Sequence, residues 1–138
     1  MTNFVPIQHI ADVGITAYAK DLNKLFVHCA EGMFSLLVDL KTVRPRVKEV
    51  VKIKSANQEE LLIKWLNELL YFTETHKEVF CKFKIIKLSA RNLIAEVWGE
   101  KIEPGRHQFG LEIKAATYHN LEIKHTPRGY ETTIIFDI

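Results

Sequence analysis

The chain has 138 residues, 47% hydrophobic and 26% charged, with a formal net charge of +2. That is the make-up of an ordinary water-soluble globular domain, long enough to bury a core without disulfide or metal staples. The charge is too weak to argue for nucleic acid, no run nears the roughly 20 apolar residues of a membrane span, and "MTNFVPIQ" has no signal-peptide character, so a cytoplasmic protein of one domain, 1–138, is expected.

In chain order, "DVGITAYA" alternates Val13, Ile15 and Ala17 with Gly14, Thr16 and Tyr18, which predicts a strand over 12–19. The period then changes. Leu22, Leu25, Phe26, Cys29, Met33, Leu36, Leu37 and Leu40 recur every three or four residues, and Asp21 is a suitable N-cap, so a helix follows. Gly32 weakens that helix but permits a close contact. Residues 43–55 read as a basic extended segment with Pro45 at an edge or bulge. Asn57 and Glu60 form a capping pair before "LLIKWLNELLYF", a second helix whose broad apolar face predicts burial.

The remainder reads as strands. "VFCKFKI" alternates until Ile85-Ile86, where the slip predicts a bulge. "NLIAEVWGE" ends near Gly99, "LEIKAATYHNLEIKH" is one long strand or two with a bend near His119-Asn120, and "TPRG" turns into a final strand, "YETTIIFDI". Cys29 and Cys81 sit in apolar patterns and read as buried thiols of a reducing compartment. The order predicts an α+β fold of mostly antiparallel sheets packed with two helices.

Nucleophile elbow, P-loop, dinucleotide fingerprint and HExxH are all absent, and the six histidines are scattered without zinc spacing. No catalytic residue is assigned. Lys48, Lys52 and Lys54 alternate along one strand and Lys82 and Lys84 along another; they read as solvated or edge-guarding charges, or as a face for RNA. Trp65 belongs to the core face of the second helix, while Trp98 falls on the opposite face of its strand from Leu93, Ala95 and Val97. Asp12 opens the first predicted strand and Asp137 stands near the end of the last one. They are two solvated or capping aspartates, or two halves of one site completed by the Ile138 carboxylate. Clustered carboxylates without thiolate suit a hard cation, Ca²⁺, Mg²⁺ or Mn²⁺.

"HIADVGITAYAKDL", "KWLNELLYF", "VWGE", "EIKAATYH" and the terminal "FDI", in this order and over nearly the whole chain, resemble the archease family. The resemblance implies a small α+β protein cofactor of the tRNA-splicing RNA ligase, which joins 3′-phosphate or 2′,3′-cyclic phosphate ends to 5′-hydroxyl ends. Such a cofactor promotes guanylylation of the ligase and multiple turnover. It also implies a divalent cation, Ca²⁺ in the usual description, held by Asp12, Asp137 and Ile138. Lys101 after "WGE" and Lys114 in "EIKA" both match as the family's functional basic residue, and His9 is commonly present in the first motif. The partner is thus a protein, with RNA engaged only indirectly. The alternatives from other classes are a free-standing metal-dependent hydrolase and a general chaperone or RNA modulator.

Overall fold

The structure, a computed structural model, describes residues 3–8 and 12–138, with backbone only for 7, 8 and 12. The expected α+β architecture is present. Strands β1 (Phe4–Gln8), β2 (Asp12–Ala19), β8 (Gly129–Asp137) and β6 (Ala115–Ala116) lie in that order in one sheet, with β7 (Lys124–Thr126) also paired to β8. A second sheet has the order β3 (Val47–Lys54), β5 (Asn92–Lys101), β4 (Glu78–Leu88). Every pairing among the described residues is antiparallel. Helix α1 (Leu22–Leu37) packs on β2 of the first sheet and β4 of the second, and α2 (Gln58–His76) on β3 and β6, so the helices join both sheets to one core.

The helices begin where capping chemistry places them. The Asp21 side chain accepts from the Lys24 N–H at 2.8 Å, and Asn57 accepts from the Glu60 N–H at 2.9 Å, each satisfying a first-turn donor. Glu60 pairs with Lys64 at 3.1 Å one turn on. Gly32 does permit a close approach: a Cβ there would lie 2.7 Å from Ile15 Cδ1. Trp65 is fully buried, and its Nε1–H donates to the Phe26 carbonyl at 3.0 Å, joining the helices through a hydrogen bond as well as packing.

Several expectations are corrected. Strand β1 was not anticipated; Phe4 packs against Gly32 and the core. Cys29 is buried, but Cys81 is only half-buried. Strand β4 bulges at the anticipated Ile85/Lys87 and also at Phe80/Lys82, and the second irregularity turns Cys81 partly outward. The long strand expected from residue 111 shrinks to β6 and β7, because Gly110 and Leu111 donate their N–H groups to the Leu37 and Leu36 carbonyls. Those are free acceptors at the end of α1, and the segment caps the helix instead of pairing in a sheet. Gly110 allows it: a Cβ would stand 2.5 Å from the Leu36 oxygen. Asn120 adopts a left-handed φ of 51°, which makes the bend near His119-Asn120.

The "WGE" glutamate is a structural hub. Glu100 is buried and accepts from Arg106 Nη2 at 2.6 Å, His107 Nε2 at 2.9 Å and the Arg44 N–H at 2.8 Å. The Glu103 N–H donates to His107 Nδ1 at 2.9 Å, so the Nε2 nitrogen carries the ring proton and neutral His107 donates it to Glu100. Arg106 also reaches the Thr42 carbonyl at 2.9 Å, fastening the 103–107 loop to the segment that leaves α1. Burial alone would raise the Glu100 pKa, but the bonds from Arg106, His107 and Arg44 outweigh it and hold it at about 2.

Trp65→Ala is expected to cost about 3–5 kcal/mol through cavity and hydrogen-bond loss, read as a fall in denaturant midpoint. Glu100→Ala is expected to cost about 3–5 kcal/mol near neutral pH, since it strands its buried partners. Because the folded pKa of Glu100 lies below the ordinary 4.5, its contribution is full above pH 4.5 and fades as pH falls towards 2. Denaturation of both proteins across that range should show the difference between them shrinking with acidity.

Candidate functional site

Pairing between β2 and β8 brings the backbones of Asp12 and Asp137 side by side. The register sets Asp12 opposite Asp137, Val13 opposite Phe136 and Ile15 opposite Ile134. Alternation along β8 buries Thr132, Ile134 and Phe136, and Asp137 is exposed on the other side. The Asp12 side chain and His9 lie outside the described residues.

On the other side of β8, Ala115 stands opposite Asp137 and Ala116 opposite Phe136. The backbone N–H of Lys114 donates to the Asp137 carbonyl at 2.8 Å, and the Lys114 side chain is exposed. Lys114 therefore adjoins the aspartate pair. Lys101 does not share its strands: it ends β5 in the other sheet, where its Nζ donates to the His76 carbonyl at 2.9 Å. Ile138 follows β8 and is 42% exposed. The side-chain carboxylate described at this strand end is that of Asp137, beside the exposed Lys114, and neither a thiolate nor an imidazole is among the described groups there. That donor set fits a hard oxygen-loving cation better than zinc.

One positioning residue was invisible in the sequence. Asn67, on α2, donates Nδ2 to the Ala116 carbonyl at 3.2 Å and accepts the Ala116 N–H at 2.8 Å. Its amide acts as a surrogate strand edge for β6, which is only two residues long. The signal available was one polar residue within the apolar face of "KWLNELLYF".

The lysine-rich strands form the outer face of the second sheet. Lys48, Trp98 and Lys82 are aligned across β3, β5 and β4, as are Val50, Glu96 and Lys84. Lys82 Nζ lies 4.7 Å from the Trp98 ring centroid, a cation–π contact, and Lys48 pairs with Glu96 at 3.2 Å. Trp98 thus packs under lysine on the open sheet face. A separate groove, lined by Tyr18, His28, Glu31, Arg128 and Tyr130, opens at the far end of β2 from Asp12. Among the described residues no helix is long and apolar enough to cross a membrane.

Comparison with known proteins agrees with this architecture. The model of the Archease protein family (MTH1598/TM1083) matches residues 4–138. A protein archease of Sulfurisphaera tokodaii is 34% identical, with 100% of both chains covered. One of Methanosarcina mazei is 34% identical over 96% of this chain and 93% of its own. The solution structure of Methanobacterium thermoautotrophicum protein 1598 superposes with a TM-score of 0.83 at 32% identity, covering 100% of both chains. A Thermotoga maritima archease, described as a possible chaperone, shares the fold with a TM-score of 0.56 at 18% identity, covering 97% of this chain and 96% of its own. The chain belongs to the archease family.

Proposed function

We propose that this chain is an accessory protein of the tRNA-splicing RNA ligase and not an enzyme in its own right. In this reading it promotes guanylylation of the ligase from GTP and so sustains multiple turnover. The observation that carries the reading is the β2–β8 register, which aligns Asp12 with Asp137 beside Lys114, the motifs by which the chain resembles the family. Asp12, Asp137 and Ile138 would hold a divalent cation, Ca²⁺ in preference to Mg²⁺ or Mn²⁺, and that ion would supply positive charge for phosphate oxygens. Nucleotidyl transfer depends mostly on positioning and charge stabilisation, which an accessory surface can lend to a partner's active site. Lys114 adds a second positive charge next to the cluster, and Asn67 holds β6, and with it the Lys114 backbone, against β8. Lys101, engaged at the end of α2, is the weaker candidate. The cytoplasm is the expected compartment.

A different class of reading, a chaperone or RNA modulator, draws on the exposed lysines of the second sheet and on the label carried by the Thermotoga relative. Exposed charges of this kind steer association and are screened by salt, so they rank below the aspartates.

In a ligation assay with the cognate ligase, Asp137→Asn should lower multiple turnover on the order of tenfold or more while leaving the melting temperature nearly unchanged. Activation intact in Asp137→Asn, or GTP hydrolysis by the isolated chain, would reject the proposal. Replacing Lys48 and Lys52 by alanine should matter less than Asp137→Asn. Tight RNA retention by the isolated chain in filter binding would reverse that order and favour the RNA-modulator reading. Asn67→Ala should cost about 1–3 kcal/mol by leaving the Ala116 amide and carbonyl unpaired. It should also reduce activation at temperatures where the fold remains intact, measured by melting and ligation side by side.

A further inference from the structure

A second group of ligating side chains lies away from the terminal aspartates, at the junction of α2 with the three-stranded sheet. Glu78 opens β4, directly after α2, and only 3% of its side chain is exposed. The bulge at Phe80/Lys82 accompanies burial of Glu78, Val79 and Phe80 in succession, so the first residue of the strand is carried into the interior. Gly99 is needed for that path, because a Cβ there would collide with the Val79 carbonyl oxygen at 1.8 Å. Glu78 Oε1 has no hydrogen-bond partner, which is costly for a buried carboxylate.

Two further side chains able to ligate a metal stand beside Glu78. His76 Nδ1 stands 3.9 Å from Glu78 Oε1, and one ligand atom each of Glu49, His76 and Glu78 fall within 4.8 Å of one another. Burial, a side-chain hydrogen bond with Glu49 and the charge of Glu49 push the Glu78 pKa up to about 7, against the opposing pull of Lys101. Lys101 does not resolve the conflict: its ammonium donates to the His76 carbonyl and makes no ion pair within 4.0 Å with either glutamate. The group also sits at the C-terminal end of α2, where the carbonyl end of the helix favours positive charge. Thr73 Oγ1, three residues before His76 on the same helix, is the other buried side-chain atom without a partner among the described residues.

We propose that Glu49, His76 and Glu78 form a cation site for a borderline divalent transition ion of the Zn²⁺ class, separate from the terminal aspartates. One imidazole and two carboxylates supply three ligands, and a water completes the tetrahedron. Tetrahedral bonds of about 2.0–2.2 Å place ligand atoms about 3.3–3.6 Å apart, so the Nδ1–Oε1 gap closes by on the order of half an ångström. The exposed His76 ring can supply that movement, and it also leaves the site a route to solvent. The ion gives Glu78 its missing partner and removes the repulsion between the two carboxylates. It also fastens the end of α2 to β3 and β4, which lie on opposite sides of β5.

The test uses the untagged full chain stripped with chelator, titrated with Co²⁺ as a spectroscopic probe and then displaced by Zn²⁺. Asp137→Asn should bind one Co²⁺ with visible d–d absorption and a rise in melting temperature, and wild type should bind at least that one. His76→Ala and Glu78→Gln, made in the Asp137→Asn background, should weaken that binding by at least about 10–100-fold. Glu78→Gln retains the side-chain shape; if it does not fold, His76→Ala decides alone, since that side chain is 42% exposed and its ring packs on Tyr71 and Phe72 of its own helix. No Co²⁺ uptake by Asp137→Asn, or equal uptake by the His76 and Glu78 variants, overturns the site. Failure of ligase activation by Asp137→Asn is a separate result and leaves this one standing.

Discussion

The antiparallel pairing of β2 with β8 is the constraint on which the molecule depends. It joins the second strand of the chain to the last, more than a hundred residues apart in sequence, and fixes which residues face the core. Ile15 and Ile134 meet inside it, while Thr16 and Thr133 join hydroxyls at 2.8 Å on the other face. A slip of one residue would turn Ile134 and Phe136 to solvent and bury Thr133 and Ile135. The same register that protects the core brings Asp12 into line with Asp137, so the candidate site shares its cause with the stability of the sheet.

Loop closure over such a separation has an entropic cost that local contacts cannot meet, and the helices supply the compensation. Each packs against both sheets, and the Trp65 side chain ties α2 to the backbone of α1. Through Asn67 the same helix reaches β6 and the strand edge beside Asp137. Core packing and site geometry are therefore linked by one helix, with apolar residues on either side of a single amide.

Two buried glutamates show how surroundings decide the state of one side-chain type. Glu100 is met by a guanidinium, an imidazole N–H and a backbone N–H, and it stays ionised at a pKa of about 2. Glu78 meets a second carboxylate, retains an unpartnered oxygen, and its pKa rises to about 7. The first organises a loop. The second is held towards its protonated form by burial and by Glu49.

Much of the fold was legible in the residues themselves. Periodicity and capping chemistry located α1, α2 and the long strands, because a change of spacing from two to three or four is local and Asp21 and Asn57 act within one turn. The family motifs named the aspartates. Other features had no local signature. The strand expected from Leu111 onward gave way at its start to a helix cap, since the Gly110 and Leu111 donors found the free carbonyls of α1, partners more than seventy residues away. Lys101 and Lys114 matched equally as motifs, and only sheet membership separated them. Asn67 looked like a polar interruption until β6 lay beside it. Glu49, His76 and Glu78 have no metal-binding spacing, yet a bulge and the end of a helix bring them together. Sequence alone determined the elements, because these obey nearest-neighbour sterics and hydrogen bonding. Tertiary structure decided which distant residues meet, because charge and hydrogen-bond partners converge from strands and helices that only long-range packing makes adjacent.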